Sequence, residues 1–137
     1  MKKMDDEFFL VDIPGEVPAK KNSRINTKSG KSFPSKSYRA WHDGSIVLLC
    51  AEARRQGVAR PVDRPCAIFL NIRHGDFRRR DSDNVLSSVL DLLVDAGILA
   101  DDRWQIVRQV HVDSGLGEAG CRVSIILLEG ESHEGTC

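Results

Sequence analysis

The stretch "CAIFLNIRHGDFRRRDSDNVLSSVLDLLVDAGILADDRWQIVRQVHV" runs from Cys66 to Val112, and its reading decides the rest of the chain. In "CAIFLNIR" (Cys66–Arg73), Cys66, Ile68, Leu70 and Ile72 alternate with their neighbours, which predicts a strand with one apolar face. Val85, Leu86, Val89, Leu90 and Leu93 keep helical spacing instead. They predict a helix of roughly Val85–Ala96, capped by Asp83 or Asn84 and ended by Gly97. "WQIVRQVHV" (Trp104–Val112) returns to strand. A strand, a helix and a strand in this order form a crossover unit, which favours parallel neighbours.

Outward from that unit, "EFFLVDI" (Glu7–Ile13) alternates as a strand and stops at Pro14-Gly15. Ser35 is the N-cap expected for a helix from about Lys36 to Gln56, with Tyr38, Trp41, Ser45, Leu48, Leu49 and Glu52 along one side. Gly44 weakens that helix and Gly57 offers its stop. "CRVSIILL" (Cys121–Leu128) is the last strand, and the Gly-rich "DSGLGEAG" before it predicts an antiparallel hairpin with the strand at Trp104–Val112. Residues 16–36 have no sustained hydrophobic period and hold six Lys/Arg with no acid after Glu16, so they read as a long basic loop. Residues 129–137 are polar and read as a frayed tail. The expectation is a single small α/β domain over residues 1–137, in β-α-β-α-β-β order, with a mixed sheet and two helices.

Bulk composition agrees with one domain: 137 residues, 41% hydrophobic and 29% charged, are ordinary for a globular protein. No apolar run approaches the ~18–20 residues needed to span a membrane. Acids precede the short apolar run near the N-terminus, which argues against a signal peptide and makes the cytoplasm the expected location. Cys50, Cys66, Cys121 and Cys137 show neither CxxC pairing nor zinc-ligand spacing from His42, His74, His111 or His133, so structural zinc is not expected. The net charge of zero hides a division. Residues 14–80 carry 15 Lys/Arg against 5 Asp/Glu, and residues 81–137 carry 3 against 11. Such asymmetry fits a polyanion partner, or halves that interleave into a neutral surface.

Asp81 and Asp83 are two residues apart. In an extended chain both would point to one side, about 6–7 Å apart, and would repel unless a cation lay between them. Arg78, Arg79 and Arg80 are one source of that cation, and a hard divalent metal is another. Asp101 and Asp102 offer a third carboxylate. The helix between is about 20 Å long, and six residues after it can return about 20 Å if nearly extended, so convergence is permitted but not required. On residue chemistry alone, the same aspartates also read as helix caps and turn residues.

The segment "RRRDSDNVLSSVLDLLVDAGILADD" resembles the RusA family of Holliday-junction resolvases, metal-dependent endonucleases common in bacteria and prophages. The resemblance rests on Arg78–Arg80, Asp81-Ser82-Asp83-Asn84, Asp91-Leu92-Leu93, Ala96-Gly97 and Asp101-Asp102. It is sharp over roughly residues 78–106 and looser over "PAKKNSRI" and the first helix. It implies that Asp81, Asp83 and Asp102 are catalytic carboxylates holding Mg²⁺, or Mn²⁺, for phosphodiester hydrolysis in DNA recombination and repair. It also implies a homodimer acting on branched DNA, because a four-way junction is two-fold symmetric. The family commonly has a lysine where Ser87 stands, leaving Arg80, Lys20 or Lys21 to supply the transition-state charge. Backbone contacts are expected from Lys20, Lys21, Arg24, Lys28, Lys31, Arg78 and Arg79. Two rivals remain: a junction-binding protein of this fold whose cleavage is weak or lost, and a protein-interaction module whose aspartates are structural.

Overall fold

The computed structural model describes residues 7–19, 24–26 and 32–129. Its elements are β1 (Glu7–Pro14), β2 (Arg24–Asn26), β3 (Ser32–Pro34), α1 (Lys36–Gln56), β4 (Cys66–His74), α2 (Ser82–Asp95), β5 (Val107–Leu116) and β6 (Gly120–Leu127). The expected β-α-β-α-β-β order holds, with one addition. β2 and β3 form a small antiparallel pair of their own inside the basic loop.

The main sheet is mixed, in the order β1-β6-β4-β5. β4 and β5 are parallel, as the strand–helix–strand unit requires, while β6 runs antiparallel to both β1 and β4. Phe9, Val11 and Ile13 of β1, Ile68, Leu70 and Ile72 of β4, and Val123 and Ile125 of β6 form one buried cluster. Val85, Val89, Leu92 and Leu93 of α2 complete it. Each such side chain contributes roughly 1.5–3 kcal/mol relative to exposure. That apolar stripe, not helix propensity, holds α2 in place.

The expected hairpin between the last two strands is not formed. β5 and β6 lie on opposite sides of β4, and residues 117–119 carry the chain around its end, where the Gly117 amide donates to the His74 carbonyl at 3.1 Å. A side chain at Gly117 would meet the Arg73 stem at 3.4 Å, an ordinary van der Waals contact, so the passage itself does not require a glycine. The physical cause lies in burial. β6 carries Cys121, Val123 and Ile125, all buried, and needs a central position, whereas most of β5 is exposed and suits an edge.

Helix ends follow local chemistry. Ser35 Oγ accepts the Tyr38 amide at 3.2 Å, and α1 stops at Gly57 in the left-handed region at φ 67°, both as expected. α2 begins about one turn earlier than expected, at Ser82, with Asp81 at the N-cap. Asp83 and Asn84 are therefore inside its first turn, and the backbone is extended only through Asp81. The Gly97 amide bonds Val94 O and the Ile98 amide bonds Leu93 O, each at 3.0 Å, with Gly97 at φ 72°; this is a Schellman ending. The last strand-edge correction concerns Trp104, expected in a strand. It lies in the turn before β5, 68% exposed, with the Arg108 guanidinium 5.6 Å from its ring.

Candidate active site

The loop leaving β4 is held by charge. His74 ends β4 on the same face as Cys66, Ile68, Leu70 and Ile72, where a polar side chain must find a partner. It finds Glu16, whose Oε2 lies 2.5 Å from His74 Nδ1 and whose Oε1 accepts the Gly75 amide at 3.0 Å. Arg80 reaches the same carboxylate at 3.5 Å and Asp76 Oδ1 at 2.9 Å. The Arg78 amide also donates to Asp76 at 3.0 Å. The Arg80 hydrogen bond first, and that amide second, hold the Asp76 carboxyl below its ordinary value. Arg80 is thus a clamp across the loop, only 17% exposed at its side chain. Arg78 and Arg79 project at 83% and 91% side-chain exposure.

Beside this clamp a cleft of about 130 Å³ is lined by His74, Arg78, Arg80, Ser82 and Ser114. Ser82 lies between the two aspartates of the sequence motif, so the cleft opens at the first turn of α2. It sits at the carboxyl ends of the parallel pair β4 and β5, the usual place for ligands in open α/β sheets. Asp81 is exposed, makes no side-chain hydrogen bond to its helix, and has Oδ1 3.5 Å from Arg79 Nε. Asp83 is exposed in the first turn, and Asn84 behind it is buried, with an Oδ1 that has no partner among the described residues.

Asp101 and Asp102 are elsewhere. β5 starts opposite Cys66, and the Cys66 amide donates to Ile106 O at 2.8 Å, so these aspartates stand near the beginning of β4. Leu99 is bridged to Val62, which pins the approach. Asp101 Oδ1 accepts the Asp102 amide at 2.8 Å, Asp101 Oδ2 is 3.5 Å from Arg103, and Asp102 is exposed. The nine residues of β4 place its two ends about 26 Å apart. The return of Asp102 to Asp83 that chain length permitted does not occur. Three carboxylates suit a hard divalent ion by chemistry. Among the described residues, however, no three His, Cys, Asp or Glu groups gather to hold one. One chain alone does not fit the metal that the resemblance implies.

Of the residues expected to contact DNA, Lys20, Lys21, Lys28 and Lys31 lie outside the described residues, and Arg24 is described only as part of β2. Ser87 is exposed on α2, while Ser88 is buried and donates to Pro18 O at 2.5 Å. That bond ties α2 to the segment carrying Glu16. Reasoning from sequence missed Glu16, His74 and Asp76. The available signal was strand parity, which puts His74 on the buried face of β4.

The family described as endodeoxyribonuclease RusA matches residues 14–126. A crossover junction endodeoxyribonuclease RusA of Aquifex aeolicus (strain VF5) is 30% identical over 105 residues, covering 77% of this chain and 76% of that protein. Both the motif segment and the Glu16–His74 pair lie within the family match.

Proposed function

The chain belongs to the RusA family of endodeoxyribonucleases, and from that premise we propose that it cleaves branched DNA, the four-way junction above all, by phosphodiester hydrolysis. The observation that carries the reading is Asp81. It occupies an N-cap position without a side-chain hydrogen bond to its helix, which leaves an exposed carboxylate adjoining Ser82 of the cleft in sequence. Arg78 and Arg79, exposed beside it, supply phosphate contacts that position a backbone without reading sequence. Phe77, 88% exposed in the same loop, offers a face on which an unstacked base can rest.

The placement of the aspartates favours a homodimer over a single working chain. With Asp81 and Asp83 at one end of α2 and Asp102 near the other, a second copy is the source of the carboxylate that one chain lacks. Asp81, Asp83 and Asp102 of the second copy would then hold a divalent cation, Mg²⁺ or Mn²⁺. When bound, that ion supplies charge neutralisation at the scissile phosphate. The chain's own part is to seat the phosphate between Arg78, Arg79 and the first turn of α2, and to exclude bulk water with the clamped loop.

The deciding experiment is cleavage of a labelled synthetic four-way junction with Mg²⁺, with Mn²⁺ and with chelator, beside linear duplex and a band shift in chelator. Paired, metal-dependent nicks confined to the junction are expected. Binding without cutting would favour the junction-binding reading, for which Ser87 in place of a lysine is the specific support. Neither binding nor cutting would overturn the nucleic-acid reading. The described helices include none long and apolar enough to cross a membrane. Cytoplasmic action on DNA is part of this proposal.

A further inference from the structure

We propose that His74, oriented by Glu16, is the general base that takes the proton from the attacking water. The inference rests on the nuclease reading and adds to it a catalytic group that the aspartate motif does not contain. Its ground is geometric. Glu16 Oε2 lies 2.5 Å from His74 Nδ1, and a carboxylate only accepts, so Nδ1 carries the proton. In the neutral ring that tautomer leaves a lone pair on Nε2, an atom with no hydrogen-bond partner among the described residues. The ring is 16% exposed at its side chain and lines the cleft together with Ser82 and Arg78, so Nε2 is the basic atom available to a water bound there.

Glu16 is itself fixed. Its other oxygen accepts the Gly75 amide at 3.0 Å and lies 3.5 Å from Arg80. A carboxylate held from three sides, aimed at one imidazole nitrogen, is the arrangement that fixes a ring's tautomer and stabilises the imidazolium that forms. The charged groups facing the pair are Arg78, Arg80 and Asp76 from the β4–α2 loop. The residues that β5 brings to it, Ser114 and Leu116, do not titrate. A structural histidine would need one partner to satisfy burial. This one has that partner and also presents its second nitrogen to the cleft.

The step balances simply. The water oxygen forms a bond to phosphorus while its proton moves to His74 Nε2. The bond from phosphorus to the 3′ oxygen breaks, and that oxygen takes a proton from solvent. The products are a 5′-phosphate and a 3′-hydroxyl, and the imidazolium returns its proton to solvent. Glu16 acts throughout as a positioning residue.

The test uses the full chain, a synthetic four-way junction, and His74→Ala and His74→Gln variants. Junction binding is measured by band shift in chelator, and cleavage with and without added imidazole. The expected result is a loss of cleavage of about a hundredfold or more, the usual share of a general base, with binding unchanged and with imidazole restoring the His74→Ala rate but not the His74→Gln rate. Glu16→Gln, whose amide oxygen still accepts from Nδ1, should keep more activity than Glu16→Ala. Cleavage by both His74 variants at the parental rate would overturn the proposal and leave the nuclease reading standing. So would a loss that imidazole does not repair, because His74 would then be structural. A parent protein that cuts no branched DNA brings down the nuclease reading and this proposal together.

Discussion

The two helices begin in opposite ways. At α1, Ser35 turns its hydroxyl to the Tyr38 amide and satisfies one of the orphan donors of the first turn. At α2, Asp81 holds the equivalent position and makes no such bond, although aspartate is among the strongest capping residues. The first turn of α2 is instead fixed from outside: the Arg80 clamp steadies the entering chain, and Ser88 ties the helix to Pro18. A residue chosen for capping caps. Asp81 stands at a cap position without capping, and Ser82, next to it in sequence, lines the cleft.

Breaking that contrast gives the largest expected effect. Asp83→Asn and Asp81→Asn should each lower junction cleavage by at least about a hundredfold, because each removes a ligand of the ion that would neutralise charge at the scissile phosphate. Thermal stability should change little, and band shifts in chelator should show junction binding preserved or tightened. If either variant cleaves at the parental rate, the aspartates are structural and the contrast between the helix starts means nothing.

Ser87→Lys sharpens the same point from the other side. It restores a cation on the exposed face of α2, one turn along from Asp83. A gain of about tenfold in cleavage rate is expected, less than the hundred- to thousandfold that a preorganised donor supplies. No gain would mean that Arg80 or a lysine of the basic loop already fills the role. At α1 the expectation is reversed. Ser35→Ala should cost about 1 kcal/mol of stability by denaturant titration, while cleavage by the folded fraction is unchanged.

The contrast also explains what was legible in the sequence. α1 was readable at both ends because its signals are local: a serine, a periodic run and a glycine at positive φ. β4 was readable because alternation is local too. The start of α2 was misplaced because Asp81, Ser82, Asp83 and Asn84 are all capping residues, and it is the Asn84 and Val85 amides, both donating to Asp81 O, that show where the helix begins. The β5–β6 arrangement was misread because a Gly-rich turn looks alike whether it joins neighbours or steps over a third strand. Which of the two occurs depends on how much apolar surface β6 must bury, a property of the whole sheet. At the site, the motif aspartates were visible, but their separation was not. Chain length sets only how far Asp102 could reach, and the Val62–Leu99 bridge decides where it stays. The Glu16–His74 pair joins residues 58 apart and left only the parity of His74 as a trace.

The smallest expected effect compares two amides. The Arg78 amide donates to Asp76 Oδ1 at 3.0 Å, and the Tyr38 amide donates to Ser35 Oγ at 3.2 Å. Both are side-chain acceptors at the entrance to a helix, but only one of them titrates. The Asp76 carboxyl is held below its ordinary value of 3.8, chiefly by the Arg80 hydrogen bond and then by this amide. Depressed in the folded state, it contributes stability that is present above the ordinary value. That contribution is lost as pH falls through the depressed one. The clamp should therefore persist through the mildly acid range and loosen only below about pH 4. In a proton–nitrogen NMR titration the Arg78 amide should shift in that window, with the Arg80 guanidinium protons moving alongside it. The Tyr38 amide should stay still until the protein unfolds, because a serine hydroxyl does not change charge. Equal movement of both amides would show that acid unfolds the molecule as a whole before it releases the loop, and the entrance to α2 would then be no more separable from the fold than the entrance to α1.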